Sequence, residues 1–253
     1  HHVPTQTLPP AHSIINPKLP DNQYPFQDLC GAGVAFKLIQ GLYNLLGRKW
    51  TNDLLELAAL GTVADLTSLV DENRYFVKAG IDALRCTERL GLQALYRHAH
   101  VDPRSIDIQS ISFSIAPRLN APGRLDHAFA SYQLLTTTCE NEAELLAAKI
   151  ESLNRQRREI TKDATSKAVD DIMALASTPP ILLTHQEGLS PGVSGLVASR
   201  LVDEFYRPSV VMAIDGDLVR ASARSIKEFN MICLLYTSPS PRDRRCSRMR
   251  SAA

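Results

Sequence analysis

The chain of 253 residues is long enough for two compact domains, and 44% apolar with 22% charged residues is neither a fibrous nor a disordered composition. Its net charge of +1 excludes a globally basic nucleic-acid binder. Residues 233–253 hold five arginines and one aspartate and leave −3 for the rest, so any nucleic-acid site must be a local patch. No apolar run reaches the roughly 18 residues that span a membrane, no basic-then-apolar leader opens the chain, and the five cysteines are scattered without a CxxC pair. That cysteine usage suits a reducing cytoplasm rather than a disulfide framework or a zinc knuckle.

Residues 3–29 contain six prolines and read as an extended segment, with a short strand possible at Ser13-Ile14-Ile15. Gly31 to Leu46 carries Val34, Leu38, Leu42 and Leu45 at helical spacing and ends on Gly47. Thr51 can cap a helix from Asn52 to Leu60. The run Gly61-Thr62-Val63-Ala64-Asp65 reads as a short, buried, β-branched segment stopping on one carboxylate. A buried Asp is costly without a partner, so Asp65 is either a turn residue bonded to backbone N–H groups or a metal ligand.

A polar turn at Asp71-Glu72-Asn73-Arg74 leads to helices over Tyr75–Arg85 and Glu88–His98. Ile106 to Ile115 alternates with a break in phase near Ser110, which fits a bulged strand or a helix start. Ala116-Pro117-Arg118-Leu119-Asn120-Ala121-Pro122-Gly123-Arg124-Leu125 reads as a rigid loop presenting two arginines, before a helix from His127 to Leu135. From Glu140 to Ala176 there is no Gly or Pro, and Thr137 with Glu140 has capping-box spacing, so a long connecting helix is expected within 137–178.

After Pro179-Pro180 the pattern turns to α/β: strands at Ile181–Leu183, Pro208–Ile214 and Leu218–Ala223, and a helix over Val193–Phe205, with a hairpin turn at Asp215-Gly216. The Arg- and Pro-rich residues 233–253 lack any amphipathic period and read as a non-native tail set apart from the fold, the other reading being a basic nucleic-acid tail. His1-His2 alone reads as a tag remnant, but the residues that follow are not linker composition.

Taken together, His1-His2-Val3-Pro4 with Ala11 and Ile15-Asn16-Pro17, then Tyr24-Pro25-Phe26 and Leu29 to Lys37, resemble successive blocks of the RecJ-type single-strand-specific exonucleases of the DHH/DHHA1 superfamily. Gly61-Thr62-Val63-Ala64-Asp65 resembles the family's later aspartate motif, and Pro117 to Leu125 its arginine loop. Ser190 to Arg200 and Ser222-Ala223-Arg224-Ser225 resemble its DHHA1 domain. Each block is weak alone. Their order along residues 1–232 is specific.

The resemblance implies an α/β fold: the later part of a DHH catalytic domain (1–136), the connecting helix (137–178) and a small α/β DHHA1 domain (179–232). It implies metal-dependent 5′→3′ hydrolysis of single-stranded DNA in recombination and repair, in the cytoplasm, with two divalent ions, Mn²⁺ or Mg²⁺. By the same resemblance His1 and Asp65 are metal ligands and His2 lies beside the scissile phosphate. Arg118, Asn120, Arg124, Ser222 and Arg224 contact the nucleic acid, the last two holding a 5′ phosphate. A helicase and a single-strand-binding protein are the expected protein partners. The glycine-rich Leu29–Val34 stretch is read either as phosphate approach by backbone N–H groups or as close helix packing.

The family's small phosphodiesterases, which cut oligoribonucleotides or cyclic dinucleotides, carry a Gly-Gly-Gly-His run where this chain has Arg220 to Ser225. That favours the RecJ branch over them. A catalytically dead single-strand-binding homologue is the other alternative. The aspartate that should precede His1 and the family's three further upstream aspartates are absent from the sequence, as is an OB-type domain. An incomplete, inactive piece of the enzyme is therefore expected.

Overall fold

The computed structural model describes residues 8–49 and 54–233. The described residues fall into two compact units. One comprises the residues up to Pro122 together with His127–Asn154, and the other Gly123–Asp126 together with the residues from Arg155 onward.

The regular structure of the first unit's described residues is all helical. Residues 8–30 hold neither helix nor strand, so Ser13–Ile15 does not form the strand expected of it. Then come α1 (Gly31–Leu45), α2 (Leu55–Ala64), α3 (Asp71–Arg85) and α4 (Leu90–Ala99). The expected cap Thr51 lies outside the described residues. Helix α2 runs through Gly61-Thr62-Val63-Ala64, which corrects the β-branched segment expected there. It is buried all round, at Leu55, Ala58, Ala59, Leu60, Thr62 and Val63, so it shows no single apolar face. Close neighbours require its glycine: a Cβ on Gly61 would stand 2.4 Å from the Ala32 Cβ on α1. Asp71 to Arg74, expected as a turn, is the first turn of α3, with Asp71 and Glu72 at its positive end.

Residues 108–125 form one unbroken helical run: α5 (Ile108–Ser110), a π-helical stretch (Ile111–Ile115) and α6 (Ala116–Leu125). This resolves the Ile106–Ile115 ambiguity toward helix and corrects the expected rigid loop. Ile111, Ile115 and Ala121 are fully buried, and that burial outweighs the breaking tendency of Pro122 inside α6. The π-helical turn absorbs the local change of register, with the Ala116 N–H reaching the Ile111 carbonyl. Helix α7 (Phe129–Thr136) follows.

Helix α8 (Glu140–Met173) has 34 residues, about 51 Å at 1.5 Å per residue. Its Ala143, Ala147 and Ile150 belong to the core of the first unit, with Leu84, Leu92, Leu95 and Tyr96. Its Ala164, Ala168 and Ile172 belong to the core of the second.

The second unit is a three-stranded sheet in the order β1 (Leu182–Glu187), β2 (Ser209–Asp215), β3 (Leu218–Arg224). Strands β1 and β2 are parallel and joined through α9 (Pro191–Phe205), while β2 and β3 form an antiparallel hairpin turning at Gly216-Asp217, where Gly216 takes φ +55°. Val193, Val197, Ala198 and Leu201 of α9 pack with Leu182, Val211 and Ala213 of the sheet. No helix among the described residues is long and apolar enough to cross a membrane.

Candidate phosphate-binding site

The site residues of the second unit are positioned by strand register. Ser222 pairs with Val211 and Arg224 with Ser209, and directly paired residues share one face of a sheet. Val211 and Ser209 are fully buried on the side that α9 packs against, so the two-residue period brings Ser222 and Arg224 to that helix. Helix α9 opens on Ser190-Pro191, with Pro191 in its first turn, where the missing N–H has no intrahelical partner to lose.

Ser194, in the first turns of α9, is 1% exposed; its Oγ donates to the Pro191 carbonyl at 2.9 Å and lies 2.8 Å from the Ser222 Oγ. Gly195 completes the fit. A Cβ there would meet the Arg224 Nη2 at 3.1 Å and the Ser222 Oγ at 3.6 Å, so glycine leaves room for the guanidinium against the helix.

Arg124 arrives from the short Gly123–Asp126 segment that belongs to this unit. Its Nη1 donates to the Gly192 carbonyl at 3.0 Å, and the Ser190 Oγ donates to the Arg124 carbonyl at 3.0 Å. Partial burial, and then the like charge of Arg224, hold the Arg124 guanidinium pKa below its ordinary value. Among the described residues neither Arg124 nor Arg224 has a carboxylate within ion-pair distance; the Arg224 Nη1 donates to the Ala223 carbonyl at 2.8 Å. Two like charges held together at the positive end of a helix favour an anion between them.

The other sequence candidates stand elsewhere. Arg118 lies in the first unit, where its Nε donates to the Glu151 carboxylate at 2.5 Å and its Nη1 to the Ser114 carbonyl at 2.8 Å. Asn120 is exposed on α6. The Leu29–Val34 stretch starts α1 with the Cys30 sulfur accepting from the Gly33 N–H, and Gly33 faces Leu29 and Phe76. Gly33 thus sits in ordinary packing contact, while Gly31 is exposed at the helix start. Lys37 pairs with Glu72 at 2.7 Å.

Asp65 is exposed, not buried as its sequence setting suggested, and is the C-cap of α2. The helix closes with a double bond pattern: the Leu66 N–H reaches the Val63 carbonyl at 3.2 Å and the Thr67 N–H the Thr62 carbonyl at 3.4 Å. Leu66 takes φ 54° to make that turn, a left-handed conformation that ordinarily falls to glycine. An acidic C-cap also sits at the negative end of the helix, where it is disfavoured. His1 and His2 lie outside the described residues, and among the described residues no group of three or more His, Cys, Asp or Glu forms a metal centre. The described residues therefore form no complete metal site.

Ser194, Gly192 and Gly195 were not singled out individually in the sequence. Their signal was only a Ser- and Gly-rich helix start, which carries no hint of the strand opposite.

No protein-family model matches the chain. It is 41% identical over 233 residues to the single-stranded-DNA-specific exonuclease RecJ of Bacillus subtilis, covering 91% of this chain and 29% of that protein. It is 36% identical over 249 residues to the RecJ of Salmonella typhimurium, covering 91% and 43%. The crystal structure of RecJ from Thermus thermophilus in complex with Mn²⁺ superposes with a TM-score of 0.82 at 29% identity, covering 94% of this chain and 35% of that one. The chain thus spans less than half the length of these relatives. Sequence identity of 36–41% to these relatives over about nine-tenths of the chain, together with agreement of the fold, leads to one conclusion: the chain is homologous to part of the RecJ exonucleases.

Proposed function

We propose that this chain engages the 5′-phosphate end of single-stranded DNA, as part of a metal-dependent 5′→3′ exonuclease of recombination and repair. The observation that carries the reading is the pairing of Arg124 with Arg224 against the first turns of α9, with no carboxylate among the described residues within ion-pair distance of either. A terminal phosphate monoester carries up to two negative charges and several acceptor oxygens. Two guanidinium forks, the Ser222 hydroxyl and the α9 N-terminus complement it. Arg118 and Asn120 of the first unit are proposed as separate nucleic-acid contacts, with Arg118 held in place by Glu151.

Asp65, with His1, is proposed to hold divalent ions, Mn²⁺ or Mg²⁺, and His2 to stand beside the scissile phosphate. The ions would supply a hydroxide and neutralise developing charge. The chain's own contribution is a carboxylate whose direction is set by the α2 cap. Because Asp65 is the lone assigned carboxylate among the described residues, this chain by itself is proposed to bind rather than cut. A helicase and a single-strand-binding protein are its proposed partners.

The test compares binding of 5′-phosphorylated and 5′-hydroxyl oligothymidylate by fluorescence anisotropy in EDTA. The phosphorylated strand should bind at least tenfold more tightly, the value of one or two charge-assisted hydrogen bonds. Arg224→Ala should remove that preference. Equal affinity for both strands in the unaltered chain would sink the reading.

A further inference from the structure

We propose that Ser194 is a positioning residue that governs the donor direction of the Ser222 hydroxyl, so that the two serines act as a two-hydroxyl relay into the anion pocket. The inference rests on the phosphate reading of that pocket and adds to it a residue that never touches the ligand. It starts from hydrogen counting. A serine has one O–H, and a carbonyl oxygen only accepts. The Ser194 Oγ makes two contacts, one to the Pro191 carbonyl at 2.9 Å and one to the Ser222 Oγ at 2.8 Å. Its single proton goes to Pro191, so the proton between the two serines belongs to Ser222.

In this arrangement Ser222 therefore donates inward, to Ser194, and turns lone pairs toward Arg224 and the pocket. A guanidinium neighbour suits that polarity. A phosphate does not, because its oxygens need donors. For Ser222 to donate to the phosphate, both hydroxyls turn about their Cβ–Oγ bonds: Ser222 toward the anion, Ser194 from Pro191 toward Ser222. No heavy atom moves and no covalent bond breaks. The Pro191 carbonyl is the one group that gives up a partner, and it keeps its place in the hydrogen-bond ladder of α9. In the bound arrangement Ser194 donates to Ser222 while Ser222 donates to the phosphate, and a chain of hydrogen bonds pointing one way strengthens each member.

The fold favours such a pair. Ser194 is 1% exposed, so no water competes for its hydroxyl, whereas Ser222 is half-buried on the strand and open to the pocket. Gly195 beside it leaves the space in which the Arg224 guanidinium reaches the same place.

The experiment measures the affinity ratio between 5′-phosphorylated and 5′-hydroxyl oligothymidylate in EDTA, for the unaltered chain, Ser194→Ala, Ser222→Ala and the double variant. Ser194→Ala should lower the ratio about three- to tenfold, the range of one net hydrogen bond, and should leave affinity for the 5′-hydroxyl strand unchanged. Ser194→Ala should have no further effect once Ser222 is Ala. Ser194→Cys, of similar size with a weak donor, should lower the ratio in the same direction without emptying the site. An unchanged ratio in Ser194→Ala, with Ser222→Ala lowering it, overturns the relay and leaves the phosphate reading standing. A ratio near one in the unaltered chain overturns the phosphate reading itself.

Discussion

Arg124 and Gly192, 68 residues apart in sequence, hold each other from two sides. The Arg124 guanidinium donates to the Gly192 carbonyl at 3.0 Å, and the Gly192 backbone lies so near that a Cβ there would stand 2.2 Å from the Arg124 carbonyl oxygen. No rotamer relieves a clash between a Cβ and backbone. Gly192→Ala is therefore expected to push the Gly123–Asp126 segment off the start of α9. The loss should be about 1–3 kcal/mol in urea unfolding, the ordinary range for overpacking, together with weaker binding of a 5′-phosphorylated strand. Arg124→Lys, which keeps the charge but loses the fork, should weaken binding and leave the unfolding midpoint nearly unchanged.

Two other glycines separate packing from propensity. A Cβ on Gly91 would fall 1.7 Å from the Leu134 carbonyl oxygen, where α4 meets α7, whereas one on Gly41 in α1 meets nothing within 4 Å. Gly91→Ala should be strongly destabilising. Gly41→Ala should stabilise by about 0.5–1 kcal/mol, from helix propensity and a less flexible unfolded chain. Thermal unfolding of both variants checks the opposite signs.

Glu56 is 6% exposed and receives the Arg89 guanidinium, which also donates from Nη1 to the Leu135 carbonyl at 3.1 Å. Removing Arg89 strands the Glu56 charge in the interior, whereas removing Glu56 leaves Arg89 partly exposed and bonded to Leu135. Arg89→Ala should cost about 3–5 kcal/mol, Glu56→Ala less, and the double variant less than their sum. A double-mutant cycle by urea titration reads the coupling; full additivity would mean that the pair is not a unit.

Tyr96, 2% exposed, donates its hydroxyl to the Leu84 carbonyl at 3.3 Å. Burial, and then the charge of Glu56, push its phenol well above the ordinary range. The folded state keeps this proton where the unfolded chain loses it. Its contribution is therefore fully present below the unfolded value near 10 and declines as pH rises above that, by up to about 1.4 kcal/mol per pH unit. Tyr96→Phe should flatten that part of the alkaline stability curve, at a loss of about 1 kcal/mol near neutrality from the missing hydrogen bond.

Asp65→Asn removes an acid from the negative end of α2. Introduced at the equivalent position of a full-length RecJ relative, it should abolish Mn²⁺-dependent digestion of single strands. Retained digestion would remove Asp65 from the proposed ligand set.

Sequence periodicity determined the helices with one apolar side and the alternation of the small sheet. The spacing of Val34, Leu38 and Leu42 marked α1 as a helix, although Leu38 and Leu42 are exposed and its buried residues are Gly33 and Phe36. The Gly- and Pro-free stretch produces α8, and a turn at Gly216 folds β2 onto β3. Where burial is not one-sided, periodicity is silent: α2 is surrounded, so its Thr62-Val63 looked like strand and its Asp65 looked buried. Residues 116–125 carry prolines that locally favour a loop, yet burial of Ile111, Ile115 and Ala121 holds them helical. The motif order was legible because it is linear, and it named Arg124, Ser222 and Arg224. Only the tertiary structure decided that Arg124 is bonded to the start of α9, that Arg118 is taken by Glu151, and that Ser194 faces Ser222 across 2.8 Å. Those relations depend on strand register and on a Cβ-free approach between distant segments, and neither has a period along the chain.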